Sequence, residues 1–347
     1  VKKVRLQDIA ELANVSAATV SRVVRDSGYV SQEKRRAVEK AMLTLGYVPA
    51  ENTPPDVAPS SKVIGLLTQD ATANILFPRL ADSVNHVALA NGYNVIVVNV
   101  TDEVNSIQLT SYVNTLRSLN ACGVIFNALG DRFDFMAIRK FIANLPIPIV
   151  MIERAPDIFG VNKVLINARE GLFLVVQHLT RHGHRRIAFL GPDIPGREVE
   201  TARINGFKSA CEVLNCAETG VFLPVPDYGM AEGYRAIQGY LETNECPTAI
   251  IGADELLVGV GRFLYERGLR VPQHVSLVGL DDTLTRFSVP PLTSLAFPER
   301  EIAENAVNII LEAQKGKVMP KTILLSPNLV ERASVARVET AKNPVSP

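Results

Sequence analysis

The sequence predicts two structural classes in one chain: a small all-α head containing a helix-turn-helix, then a large α/β core of two Rossmann-like lobes. Three observations predict it. Apolar positions in residues 5–45 fall at helical spacing, interrupted by a tight turn. Residues 49–61, PAENTPPDVAPSS, shift abruptly to Pro, Ser and acidic residues, marking a linker. From Lys62 onward, short β-branched runs alternate with amphipathic stretches, as in parallel sheets covered by helices. At 347 residues the chain is too long for one ordinary domain.

In the head, Leu6, Ile9, Ala10, Leu12 and Ala13 lie near helical spacing. Asn14 tolerates the left-handed turn that ends a short helix, and Val15 can plug that turn. Ser16 is a good N-cap for a second helix, Ala17 to Val24, which buries Val20, Val23 and Val24. Its outer face shows Ala17, Ala18, Ser21, Arg22 and Arg25. Small residues at 17 and 18 let the helix backbone approach base edges, and Arg22 has the reach and fork to read guanine or clamp phosphate. Ser31 caps a third helix that packs through Val38, Ala41, Met42 and Leu45 and ends at Gly46.

The formal net charge is zero, but it is unevenly spread. Residues 1–50 carry nine Lys/Arg against five Asp/Glu, a net of +4, so the remaining 297 residues carry −4. A basic head on an acidic body fits a head that touches polyanion, although a solvated basic face would look the same. No apolar run approaches the ~18 residues of a membrane span, and no apolar signal segment follows Lys2, Lys3 and Arg5, so the reading is cytoplasmic. Cys122, Cys211, Cys216 and Cys246 form no CxxC pair and read as idle thiols in a reducing compartment.

Core strands are predicted at 63–67, 94–100, 123–127, 149–152, 187–190, 221–224, 249–251 and 275–279, with helices such as 77–91, 169–181 and 254–267 between them. The count exceeds one typical sheet and the pattern restarts near 162–187, which gives two lobes. A ligand would then bind where the strand C-termini face each other. No P-loop, GxSxG elbow or CxxC occurs, so no enzyme class is indicated and no cofactor is expected. Gly259-Val260-Gly261 follows a helical stretch rather than a strand and is not a dinucleotide loop. His178, His182 and His184 share metal-like spacing, but no carboxylate or thiol completes a shell, so no metal is expected.

DIAELANVSAATVSRVVRDSGYVSQEKRRAVEKAMLTLGYVP resembles the head of the lactose/galactose repressor (LacI/GalR) family, through VSxxTVSRV, the VS opening helix three and LGYxP closing it. The resemblance implies that Ala17, Ala18 and Arg22 sit at base-reading positions, and that Ser16, Thr19, Ser21, Arg25 and Ser31 lie near phosphates, with Leu6 also against DNA. It continues through VIGLLTQD, HLTRHGHRRIAFLGP, ARINGF and PPLTSLAFP, implying a core akin to periplasmic sugar-binding proteins. In the family the linker forms a hinge helix whose Leu wedges into the minor groove. Here Pro54 and Pro55 remove backbone donors and Asp56 stands about where the wedge would be. Either a shorter helix follows with Val57 as wedge, or the segment is a tether.

Three strand crossovers are expected near 153–165, 283–293 and 314–322. The domains are then residues 1–48, the linker 49–61, the core 62–340 and a tail 341–347. Lobe 1 spans about 62–155 and 294–318, and lobe 2 about 158–290 and 321–340. The tail has no heptad repeat, which argues against a tail-built tetramer. The resemblance implies effector contacts from Asp70, Phe77, Asn127, Glu153, Arg203, Tyr228, Asp254 and Asp281. Asp254-Glu255 stands where the family commonly has Asn-Asp, which should change the ligand, and Asp254, Asp281 and Asp282 are alternatively loop caps. The expected protein is a non-enzymatic, homodimeric regulator, a repressor of carbohydrate-related genes that binds a two-fold DNA operator and a sugar-like effector. The alternatives are a sugar-binding protein or carbohydrate-active enzyme with a vestigial head, and an architectural DNA binder that ignores ligands.

Overall fold

The computed structural model describes residues 6–24, 30–45, 62–69, 76–100, 111–112, 114–116, 118–127, 147–153, 160–193, 198–316 and 319–338. Arg25, Val57, Asp70, the linker 49–61 and the tail 341–347 lie outside them. Internal contacts divide the chain into two compact units, meeting between Ser61 and Lys62.

The first unit holds α1 (Leu6–Leu12), α2 (Ala17–Val24) and α3 (Gln32–Leu45). Its core is Ile9, Ala10, Ala13, Val20, Val23, Val38 and Ala41, with Leu6, Val15, Val24 and Met42 packed against it. Asn14 takes a left-handed φ of 50°, and Val15 N–H donates to Ala10 O, folding the apolar side chain under the turn. Ser16 caps α2: its Oγ accepts from Thr19 N–H at 3.2 Å. Leu12 is an exception to the apolar spacing, for it stands exposed.

The second unit contains two six-stranded sheets. The first joins β1 (Val63–Gln69), β2 (Asn94–Val100), β3 (Ala121–Asn127), β4 (Ile149–Ile152), β5 (Asn162–Ile166) and β11 (Thr322–Leu325), in the order β11-β5-β4-β3-β1-β2. All its pairings are parallel. The second joins β6 (Ile187–Pro192), β7 (Val221–Val225), β8 (Ala249–Gly252), β9 (Ser276–Gly279), β10 (Thr293–Ala296) and β12 (Asn328–Val330), in the order β12-β10-β9-β8-β6-β7. Only its β10–β12 pairing is antiparallel. Each lobe thus repeats the 2-1-3-4-5 doubly-wound order, with a sixth strand added by a late return of the chain.

In lobe 1, α4 (Leu76–Ala90) and α9 (Glu299–Gln314) bury Leu80, Val84, Ile302, Ala306 and Ile310 against Ile64, Ile125 and Val150. In lobe 2, α5 (Ala168–Arg181) and α6 (Glu198–Val213) cover one face through Leu172, Val176 and Phe207. The other face is covered by α7 (Met230–Tyr240) and α8 (Asp254–Glu266), through Ile237, Leu257, Val260 and Phe263.

The chain crosses between lobes after β5, between β10 and α9, and between β11 and β12. The expected crossovers, and the lobe limits built on them, fall several residues too early. The reason is composition. β5 opens with Asn162-Lys163 and β10 with Thr293-Ser294, so neither reads as an apolar run. The structure nevertheless buries them, because their side chains have partners. Asn162 Oδ1 accepts from Lys321 N–H at 3.1 Å, and Ser294 Oγ accepts from Asp282 N–H at 3.1 Å. Ser334 Oγ accepts from Thr293 N–H at 2.8 Å. A polar strand survives in a core when each polar group is satisfied.

Of the three spaced histidines, His184 has a clear structural role. His184 is buried, which pushes its pKa down to about 4, and its ring contacts Thr248 Oγ1 and Ala336 O at 3.0 Å each, tying the final segment to the lobe. Among the described residues, no group of three metal-binding side chains forms, and no helix is long and apolar enough to cross a membrane.

Of the glycine pair on α8, Gly259 is required by packing and Gly261 is not. A Cβ at Gly259 would strike Met230 O and Tyr234 N of α7, so α7 and α8 cross at backbone contact. Gly239, on α7, has nothing within 4 Å of its missing Cβ. We therefore expect Gly259→Ala to destabilise the core by about 2–3 kcal/mol. Gly239→Ala should be neutral or stabilising by about 0.5–1 kcal/mol. Denaturant unfolding of the two variants provides the check.

Candidate functional site

The surface of the head follows from the capping of α2. Once Ser16 holds Thr19 and the valines turn inward, Ser16, Ala17, Ala18 and Arg22 are left exposed, with Thr19 and Ser21 half-buried beside them. Leu6 and Ser31 are half-buried, and Ser31 O accepts from Arg35 N–H at 3.0 Å, opening α3. Small side chains beside an exposed guanidinium form a helix face that can enter a major groove.

The cleft of the core lies at the C-terminal ends of the strands, where a doubly-wound sheet leaves loops and helix N-termini to face a ligand. β3 ends at Asn127, 2% exposed, whose Oδ1 has no hydrogen-bond partner among the described residues. β4 is followed by Glu153, which takes a left-handed φ of 62° and lies buried. Its own N–H stays tied to Val164 O at 3.0 Å, so the strained residue is anchored to β5. Between the lobes, Glu153, Ile166, Ala168, Arg203, Leu280 and Phe297 share one cavity.

Arg203, on the first half of α6, is the centre of the polar set. Its guanidinium donates to Tyr228 Oη at 3.2 Å and to Asp281 Oδ1 at 3.5 Å. Tyr228 in turn donates to Glu200 Oε1 at 3.1 Å. Burial works against the charge on Arg203, but Tyr228, Asp281, Glu200 and Glu153 outweigh it and hold the guanidinium protonated. Glu255, on the first turn of α8, is pushed the other way. Burial first, then the charges of Asp281 and Asp254, raise its carboxyl to about 7.

The structure brings together Glu153, Arg203, Tyr228 and Asp281 from the expected set. Phe77 lies buried in the first turn of α4. Asp254 spends one carboxylate oxygen on its neighbouring turn, and its Oδ1 is buried with no hydrogen-bond partner among the described residues. Its Oδ2 accepts from Thr283 N–H, Thr283 Oγ1, Leu284 N–H and Thr285 N–H at 2.7–3.2 Å, clamping the turn after β9. The loop-cap alternative therefore describes Asp254 and also Asp282, which pairs with Arg332 at 2.8 Å. Asp281 alone of the three faces Arg203. Sequence reasoning missed Glu200 and the role of Glu255. The first was legible in principle, since Glu200 and Arg203 stand three apart on one helix face. Replacing Asp254 with Ala should leave the turn's donors unpaired and cost about 2–4 kcal/mol, whereas Asp254→Asn, which keeps an oxygen acceptor, should cost less. Thermal unfolding of both variants tests the order.

Known proteins match along the whole chain. Residues 5–50 match the model for bacterial regulatory proteins of the lacI family, and residues 176–335 match a periplasmic binding protein-like domain. The HTH-type transcriptional repressor PurR of Escherichia coli O1:K1 / APEC is 30% identical over 337 residues, covering 95% of this chain and 96% of the relative. PurR of Vibrio atlanticus (strain LGP32) is 28% identical over 335 residues, covering 95% and 98%. Among solved structures, the lac repressor dimer bound to operator and the anti-inducer ONPF superposes with a TM-score of 0.70 at 27% identity, covering 96% of this chain and all of that one. A LacI transcriptional regulator from a Rhodococcus species gives 0.70 at 26% identity over 80% of this chain and 99% of that one. With a 30% identical relative matched along nearly its full length and the head matching the family model, the chain belongs to the lacI family of DNA-binding transcriptional regulators, which are not enzymes.

Proposed function

We propose that this protein is a repressor that binds a two-fold DNA operator as a homodimer and releases or tightens on it when a sugar-like effector enters the cleft between its lobes. The observation that carries the reading is the convergence of Glu153, Arg203, Tyr228 and Asp281 on one interlobe site. Carboxylates and a guanidinium grip hydroxyls, and an aromatic ring can cover an apolar C–H face. The lac repressor, 27% identical, is described in complex with an operator and an anti-inducer, which supports a joint DNA and small-molecule role.

The expected contact residues divide the same way. Ala17, Ala18 and Arg22 read bases, and Ser16, Thr19, Ser21 and Ser31 lie near phosphates, with Leu6 beside them. The effector touches Glu153, Arg203, Tyr228 and Asp281, with Asn127 and Phe77 on the lobe 1 side. Fluorescence anisotropy against a palindromic duplex and its scrambled form tests the DNA half. Specific binding should exceed non-specific by at least ~10³, and Arg22→Ala should bring the two together. Retained specificity in that variant would remove the base-reading assignment. Arg203→Ala should keep operator binding and lose the effector response.

Dimerisation has a candidate face on lobe 2. Tyr265, Phe287 and Val289 are 83%, 79% and 99% exposed beside a groove lined by Met230, Val258 and Leu284. An apolar patch of this kind on a soluble regulator calls for a partner, and a second copy is the one a two-fold operator requires. The double variant Tyr265→Asp/Val289→Asp should run as a monomer in analytical ultracentrifugation and lose ~10²-fold or more in operator affinity. An unchanged dimer would place the interface elsewhere.

A further inference from the structure

Asp282 is held through its N–H, its carbonyl and its carboxylate at once. It takes a left-handed φ of 51°, which a non-glycine residue keeps only where its surroundings fix it. Its N–H donates to Ser294 Oγ at 3.1 Å. Its carboxylate pairs with Arg332 at 2.8 Å and accepts from Thr285 Oγ1 at 3.0 Å. Its carbonyl accepts from Arg286 at 3.2 Å and from Arg79 at 3.0 Å. Ser294, Thr285, Arg286 and Arg332 belong to lobe 2, as Asp282 does. Arg79 stands on α4 of lobe 1, where it pairs with Glu299, the first residue of α9. A guanidinium of lobe 1 therefore grips the backbone of lobe 2.

The loop that follows is braced into one piece. Asp254 Oδ2 accepts the N–H groups of Thr283, Leu284 and Thr285, and Leu292 N–H donates to Thr285 O at 2.9 Å. Arg332, already paired with Asp282, also donates to Leu292 O at 2.7 Å, so both ends of residues 282–292 are tied to one side chain. The tip carries Phe287 and Val289, 79% and 99% exposed. A loop closed at its base and clamped in its first turn passes a displacement of Asp282 on to its tip. Immediately before it, Asp281 Oδ1 accepts from Arg203 at 3.5 Å. Consecutive residues thus answer to the cleft and to lobe 1.

We propose that Arg79 is a positioning residue that transmits the arrangement of the two lobes to the dimer face, by holding Asp282 and, through it, the loop that ends in Phe287 and Val289. The proposal rests on that face joining two copies of the chain, and it names what controls the face. A tilt of lobe 1 carries α4 and Arg79 with it. Asp282 follows or is released, and Phe287 and Val289 shift against the second copy. Glu299 aims the guanidinium from within lobe 1, so its own contribution to the loop is indirect. A molecule that draws on Asp281 acts on the same loop from the cleft side. Coupling of this kind is measured as non-additivity between distant substitutions.

The test uses the full chain as wild type, Arg79→Ala, Glu299→Gln, Val289→Asp and the double variant Arg79→Ala/Val289→Asp. Amide hydrogen exchange reads the loop, analytical ultracentrifugation the dimer, and anisotropy the palindromic duplex. Arg79→Ala should speed exchange across residues 283–292 while leaving α4 and α9 as protected as before. It should weaken the dimer and operator binding by ~10-fold, the worth of one hydrogen bond from a charged group. Glu299→Gln, which keeps the bond to Asp282, should change neither. In the Val289→Asp background, Arg79→Ala should cost less than ~2-fold in operator affinity, because its route is already cut. Unchanged loop exchange or an unchanged dimer constant in Arg79→Ala overturns the proposal. So does faster exchange confined to α4 and α9, which would mark a local support of lobe 1, and so do fully additive losses. A Val289→Asp protein that dimerises like the wild type removes the dimer face and the transmission together. A monomeric Val289→Asp beside a silent Arg79→Ala removes the transmission alone.

Discussion

A guanidinium cannot be buried alone, and the core's cleft is organised around that constraint. Arg203 has a side chain only 13% exposed, at the junction of two sheets. Desolvating an isolated charge there would cost several kcal/mol. The fold meets this by ending four different strands near it, so that the segments after β4, β6, β7 and β9 each bring a partner: Glu153, Glu200, Tyr228 and Asp281. Each partner needs its own backbone held. Glu153 is fixed by β5, and Asp281 by a turn clamped by Asp254 and Asp282. The groups around Arg203 are thus held in place by neighbours that bond their own loops, Asp254 and Asp282 among them.

That division of labour explains what could be read from the sequence. The head was legible almost residue by residue, because its signals are local: Asn14 at a left-handed turn and Ser16 at a cap act within four residues of themselves. The apolar strands were legible for the same reason. β5, β10, β11 and β12 were not, because their stability lies in distant partners. Thr293 depends on Ser334, 41 residues away, and Asn162 on Lys321, 159 residues away. No window of sequence contains both halves of such a pair.

The acidic loop residues show the same limit at the site itself. Asp254, Asp281 and Asp282 look alike in sequence and do three different things. Asp254 accepts four hydrogen bonds from the 283–285 turn, Asp282 balances Arg332, and only Asp281 faces Arg203. Composition can announce a carboxylate near a strand end. It cannot say whether that carboxylate is turned toward its own loop or into the cleft, because that choice is made by donors supplied from elsewhere.

The crossings set how a ligand could act. Both lobes are doubly-wound units with their own cores, and the chain passes between them three times, in short segments at 167, 297–298 and 326–327. Few residues therefore need to change conformation for one lobe to tilt against the other. Arg79 of α4 reaches from lobe 1 to the carbonyl of Asp282 in lobe 2, and so couples the same turn that Asp254 clamps. A molecule bound beside Glu153 and Arg203 would touch groups belonging to both lobes, whereas each lobe keeps its own core. Its binding energy would then depend on the tilt of one lobe against the other. That dependence is the only quantity by which an effector can shift a conformational population. A regulator built this way can exchange one effector chemistry for another by altering a few strand-end residues, without disturbing the hinge that reports it.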